Sequence, residues 1–121
     1  MKLRSWSCTA VLSLTALLVP ASGAAAAPAG PPPCSGGSIC FWSKEGFSGD
    51  TWEWTANSGY RDMPPNLHDH VGSFNANTPA CFIDYHGDGT AERRTVNPGD
   101  WRSRYLGDFG GRIDAVAPGG C

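Results

Sequence analysis

Beyond Cys34 the apolar residues of this chain come in short β-like bursts, one of them with a clear period of two, and no stretch carries the three-to-four spacing of an amphipathic helix. Ile39-Cys40-Phe41-Trp42 reads as a strand. Thr51-Trp52-Glu53-Trp54-Thr55 alternates without a break, so Trp52 and Trp54 share one face and Thr51, Glu53 and Thr55 the other. Val71 to Phe74, Cys81 to Ile83, Arg93 to Val96 and Arg112 to Val116 are the further expected strands. Turn-forming residues lie between them: Gly46, Gly49, Pro64-Pro65, Asn77-Thr78-Pro79, Gly87-Asp88-Gly89, Asn97-Pro98-Gly99 and Gly110-Gly111. Sixteen glycines and ten prolines in the chain leave no room for long helices. Many short strands at near-regular spacing predict an all-β sandwich or barrel.

The pattern runs twice. From Cys40 it goes Cys-Phe-Trp, a Gly-bearing turn, a strand at Trp52, a long loop and a strand ending at Phe74. From Cys81 it goes Cys-Phe-Ile, a Gly-bearing turn, a strand at Arg93, a long loop and a strand ending at Val116. Two units are too few for a solenoid. Neither unit can bury its apolar face alone, so two four-stranded units packed sheet on sheet are expected.

The start of the chain is a different kind of segment. Lys2 and Arg4 precede an apolar run from Thr9 to Val19, too short to cross a bilayer as a helix, and small residues follow Pro20. This predicts a signal peptide over 1–26, cut after Ala26, and a secreted product with no membrane attachment after cleavage. A retained anchor would need a longer run and stop-transfer charges. Residues 27–33 read as a linker, because Pro28, Pro31, Pro32 and Pro33 forbid helix and central strand; it is expected to be extended and loosely ordered. Without the first 26 of 121 residues, 95 remain, one domain over 34–121. Its seven basic and eleven acidic residues give −4 and one basic pair, Arg93-Arg94, which argues against nucleic acid as a partner.

Cys34, Cys40, Cys81 and Cys121 follow the signal segment, and an even count in a short exported chain reads as two disulfides. Three pairings are possible. Cys34–Cys40, closing a small Gly-rich loop, with Cys81–Cys121, tying the last residue to the start of the second unit, is the favoured one. Zinc is the alternative, but the spacing forms no compact pair of ligand hooks.

Trp42-Ser43-Lys44-Glu45-Gly46-Phe47-Ser48-Gly49 places an aromatic, four residues, a second aromatic, one residue and a glycine. Such a hairpin folds over with the second aromatic on the turn and the glycine in a conformation a Cβ would obstruct. This resembles the Greek-key signature of the βγ-crystallin fold. In the second half Ile83 replaces the first aromatic, and Gly87-Asp88-Gly89 the aromatic-x-glycine step. Cys34-Ser35-Gly36-Gly37-Ser38-Ile39-Cys40, running straight into Phe41-Trp42, is similar to the opening of the secreted bacterial peptidase inhibitors of the metalloproteinase-inhibitor type. The resemblance covers Cys34 to about Val116. It implies a disulfide-stapled sandwich of two Greek keys, about 34–79 and 80–121. It also implies no catalysis, no cofactor, and inhibition of thermolysin-like metalloproteases. The expected partner is an extracellular protease and the expected state a monomer. The prototype's substrate-like loop is closed by its own short disulfide; here Cys81 is followed by no cysteine before Cys121.

The inhibitory loop is therefore elsewhere or absent; if Cys81 closes to Cys121, the turn Tyr85-His86-Gly87-Asp88-Gly89 becomes the candidate protease-contact loop, with an ordinary hairpin turn as the alternative. Many βγ-crystallin domains bind calcium, and the matching stretch here is His68-Asp69-His70-Val71-Gly72-Ser73. Asp69 and Ser73 fit as weak candidate ligands; His68 and Gly72 depart from the pattern. In the second half, Gly110 to Ala115 lacks the leading ligands. His68 and His70 on one strand face would instead suggest zinc, with no third ligand in sight. The hydrolase motifs Gly-x-Ser-x-Gly and His-Glu-x-x-His are missing. Trp42, Trp52, Trp54 and Trp101 could form a sugar platform, but in a small domain such aromatics are expected in the core. The alternative function is an extracellular βγ-crystallin-like binding or structural domain with degenerate calcium sites.

Overall fold

The computed structural model describes residues 30–121, so the expected signal peptide over 1–26 and the first residues of the expected linker lie outside the described residues. Eight antiparallel strands form two four-stranded sheets. In chain order they are β1 (Ser38–Lys44), β2 (Ser48–Thr55), β3 (Arg61–Asp62), β4 (Ser73–Ala76), β5 (Ala80–Tyr85), β6 (Ala91–Val96), β7 (Trp101–Arg102) and β8 (Ala115–Pro118). One sheet runs β2-β1-β4-β7 and the other β3-β8-β5-β6. Each half therefore lends its third strand to the other half's sheet. The expected two-sheet packing holds, but neither sheet is built from one half alone.

Alternation decides which side chains meet. Ile39 and Phe41 on β1 point inward and are fully buried, as is Phe82 at the matching place on β5. Phe82 sits between Phe41 and Phe74, with ring centroids 5.5 and 5.2 Å away, and Phe74 meets Tyr105 edge-on at 4.9 Å. Burying a side chain of this size is worth about 1.5–3 kcal/mol. Trp54 is buried and donates its indole N–H to the Gly59 carbonyl at 2.9 Å, which ties down the short 3-10 turn Ala56–Ser58. Trp52 lies half-buried beside Phe41, so the predicted Trp52/Trp54 face is the inner one.

Trp42 points to the outer side of its sheet, where Phe47 folds over it edge-on at 5.2 Å. Phe47 takes φ +59, a left-handed backbone that a phenylalanine adopts at a cost. It is held there by its N–H bond to the Ser73 hydroxyl, 2.9 Å, while that hydroxyl donates to the Lys44 carbonyl at 2.8 Å. A Cβ on Gly49 would stand 2.4 Å from the Ser43 Oγ. The second half lacks the lid: Ile83 packs with Cys81 and Ala115 instead.

Both favoured disulfides, Cys34–Cys40 and Cys81–Cys121, are present. Three sequence expectations shift. The strand read over Val71 to Phe74 lies at Ser73–Ala76, because the Val71 and Gly72 N–H groups bond to the carbonyls of Gly110 and Trp42 outside the ladder. The last strand is Ala115–Pro118 rather than 112–116, because Arg112 belongs to the 3-10 turn Phe109–Arg112. The described end of the linker is not loose. Asn75 and Asn77 donate to the carbonyls of Pro32 and Cys34 at 2.9 and 2.6 Å, laying the segment along β4.

Candidate functional site

The hairpin between β5 and β6 projects from the second sheet and is braced on itself. The His86 N–H donates to the Thr90 carbonyl at 2.8 Å, and Gly89 closes the turn at φ +87. The Asp88 carboxylate accepts both the Thr90 N–H, 2.9 Å, and the Thr90 hydroxyl, 2.6 Å. Those bonds, the hydroxyl's first, hold the Asp88 pKa below its ordinary value, so it is ionised at neutral pH.

Two buried acids hold the hairpin from beneath. Asp114 accepts the Tyr85 N–H at 2.6 Å and, through its other oxygen, His68 Nε2 at 2.9 Å. Asp84 lies 3.4 Å from His86 Nε2 and 3.2 Å from the Arg112 guanidinium. Arg112 also binds Glu92, Arg94 binds Asp108 at 2.7 Å, and both guanidiniums lie over the buried Phe109 ring, Arg94 at 4.8 Å and Arg112 at 5.2 Å from its centroid. Each exposed pair contributes little alone, but the shared partners make a network around one ring.

Above this base stand Tyr60 and Tyr85, 45% and 47% exposed, their hydroxyls 2.9 Å apart. Tyr60 donates to Asp62 at 2.9 Å, which leaves Tyr85 to donate to Tyr60. Desolvation, then the Tyr85 and Asp62 contacts, push the Tyr60 phenol above its ordinary range, so it stays a donor. Of the three large apolar side chains that are exposed among the described residues, two sit at this hairpin; the third is Trp101. Tyrosines of this kind anchor protein interfaces, with broad contact area and few rotors to freeze. Tyr60 was missed from sequence because only chain folding brings it to Tyr85, 25 residues away.

The metal readings meet a different geometry. Ser73 is fully buried and its hydroxyl closes the Phe47 turn, away from any surface an ion could reach. Asp69 is exposed at φ +58 beside His68 Nδ1, 3.3 Å. His68 and His70 do not share a strand face, because residues 65–69 form a turn. The cluster the fold assembles there is His68, Asp69 and Asp114, without His70. A second cluster, Asp84, His86 and Glu92, has the Arg112 guanidinium among its oxygens, supplying the charge a cation would. Gly72 departs from the calcium pattern for a steric reason: a Cβ there would lie 2.1 Å from the Lys44 carbonyl carbon. Among the described residues the tryptophans form no platform. Trp42 and Trp54 are buried, Trp52 is half-buried, and Trp101 is exposed, 6.1 Å from Phe47.

The sequence profile of peptidase inhibitor family I36 matches residues 27–92, more than half of the chain. The chain belongs to peptidase inhibitor family I36. The family I36 match takes in the whole first Greek key, β5 and the Tyr85–Gly89 hairpin. An uncharacterised gerABC family protein of Dictyostelium discoideum is 42% identical over 86 residues, spanning 71% of this chain and 75% of that protein. Spore germination protein 1 of the same organism is 27% identical over 95 residues, covering 74% and 72%. Among solved structures, a βγ-crystallin from an archaeon superposes with a TM-score of 0.55 at 16% identity, over 69% of this chain and 99% of the other. The likeness to that structure establishes the βγ-crystallin fold for this family I36 chain. Its two disulfides fit the oxidising conditions outside the cell.

Proposed function

We propose that this protein is a secreted inhibitor that binds an extracellular metalloprotease through the Tyr85–Gly89 hairpin, and is not itself an enzyme. The observation that carries the reading is the bracing of that hairpin. Its turn is fastened internally by Asp88 and Thr90, and from below by Asp84 and Asp114. A loop already held in one shape gives up little conformational freedom on docking, so more of its contact energy appears as affinity. Tyr60 and Tyr85 provide the apolar contact area beside it. Membership of a peptidase inhibitor family supports a protease as the partner. The metalloprotease class rests on the resemblance to the metalloproteinase-inhibitor type. The expected state is a monomer delivered outside the cell by residues 1–26.

The test is a titration of the oxidised protein against a panel of metallo- and serine proteases. Stoichiometric inhibition of a metalloprotease is expected. Tyr85→Ala and Asp88→Ala should each weaken it at least about tenfold while the far-ultraviolet dichroism is unchanged. Full inhibition by both variants would place the contact elsewhere. Inhibition confined to serine proteases would overturn the class.

A further inference from the structure

The Tyr85–Gly89 hairpin carries a histidine whose two ring nitrogens both face acceptors. His86 Nδ1 lies 3.0 Å from the Thr90 hydroxyl oxygen. That hydroxyl gives its one proton to the Asp88 carboxylate, 2.6 Å away, so toward the ring its oxygen only accepts. On the other side, His86 Nε2 lies 3.4 Å from the Asp84 carboxylate, an ion-pair distance. A neutral imidazole has a single N–H and serves one of these two acceptors. With the proton on Nδ1, the Nε2 lone pair is turned on the Asp84 oxygen. With the proton on Nε2, the Thr90 oxygen loses its donor. Only the imidazolium serves both.

The charges around the ring favour that form. Asp84 on β5, Asp88 in the turn and Glu92 on β6 are the acids facing it. Arg112, from the 3-10 turn, is the opposing cation, 3.2 Å from Asp84 and bonded to Glu92. Three carboxylates against one guanidinium leave a second positive charge welcome. Hydrogen bonds from Thr90 hold Asp88 below its ordinary value, and one from Arg112 does the same for Glu92. Both acids therefore keep their charge over the range in which a histidine changes its own. Asp114, the other acid beneath the hairpin, is engaged by the Tyr85 N–H and by His68. Asp84 is buried, whereas the His86 side chain is 44% exposed, so solvent reaches the base and not its anchor.

We infer that His86 is a proton-operated brace of this hairpin, tying the Asp88–Thr90 turn to the buried Asp84 when protonated and releasing one of the two ends when neutral. His86 is a positioning residue: it acts through the shape of the turn. As regulation of protease binding, the inference rests on the reading of the hairpin as the contact loop; the brace itself does not. A turn held at both ends gives up less freedom on docking. Inhibition therefore strengthens as pH falls through the histidine range.

The experiment is amide solvent-exchange NMR on the oxidised, isotopically labelled protein between about pH 5 and 8. Wild type is compared with His86→Gln and Asp84→Asn, each rate being divided by that of an unstructured peptide at the same pH. In wild type the protection of the Gly89 and Thr90 amides should rise at least about threefold toward acid, in step with the His86 ring signals. Both variants should respond flatly, His86→Gln for want of the proton and Asp84→Asn for want of the facing charge. His68, which reaches the hairpin through Asp114, is kept in every variant, so a response that persists in His86→Gln belongs to it. A flat wild-type profile, or a response that survives either substitution, would overturn the brace. Metalloprotease inhibition is measured alongside, as the ratio of wild type to His86→Gln at each pH, which cancels the protease's own pH dependence. The ratio should rise at least about threefold toward acid. Protection that follows His86 while this ratio stays constant would support the brace and refute the hairpin as the contact.

Discussion

Removing the two disulfides one at a time separates loop entropy from local packing, because the bridges close very different lengths of chain. Cys34–Cys40 spans six residues and Cys81–Cys121 spans forty. In the chain-entropy treatment a bridge stabilises by restricting the unfolded chain, and the effect grows with the logarithm of loop length. For these spans it gives about 2.2 and about 3.9 kcal/mol, a difference of about 1.7 kcal/mol in favour of the long loop. Local burial is less uneven than that: Cys81 is buried, whereas Cys121 is exposed and Cys34 and Cys40 are half-buried. The comparison is Cys81→Ala with Cys121→Ser against Cys34→Ser with Cys40→Ser, unfolded in urea and by heat. The long-loop variant should melt about 7–14 °C below the short-loop one, at the usual sensitivity of domains of this size. Its urea slope should also be the steeper, because the freed unfolded chain exposes more surface. Equal losses, or a larger loss from Cys34–Cys40, would refute the reasoning and shift the weight to the folded Gly-rich loop and the linker it positions.

Three further outcomes follow from the packing and the charges. Phe82→Ala removes a fully buried ring between Phe41 and Phe74 and should cost about 3–5 kcal/mol in urea denaturation. Gly72→Ser, which would move residue 72 toward the calcium pattern, drives a Cβ into the Lys44–Glu45 backbone and should cost at least about 1–3 kcal/mol, whereas Gly87→Ser meets open space and should stay within about 0.5 kcal/mol; matching urea midpoints for the two variants would contradict this. Asp108 and Glu92 are held below their ordinary values of 3.8 and 4.5 by hydrogen bonds from Arg94 and Arg112. Their stabilisation is fully present above those ordinary values and lost as pH falls through the depressed ones, so melting temperature should drop in that acid window, with a flatter profile in an Arg94→Gln, Arg112→Gln variant.

Period-two alternation was sufficient for β2, which buries one face, whereas β1 and β5 showed as short apolar runs between turns because they are covered on both faces. The Trp42–Gly49 spacing carried the folded hairpin, since the turn is made within eight residues. The cysteine count called for two disulfides, and the favoured one of the three possible pairings is the one the fold makes. β3 and β7 were invisible: two residues cannot display a period, and these are the strands that cross between sheets. The same limit hid the candidate sites. Tyr60 meets Tyr85 and Asp114 reaches the Tyr85 N–H, neither with a local signature. Local pattern reports which face of a strand is apolar, because that depends on neighbours two residues apart. Partners brought together across the two sheets depend on the exchange of third strands and on where each loop returns, and only the folded chain supplies those.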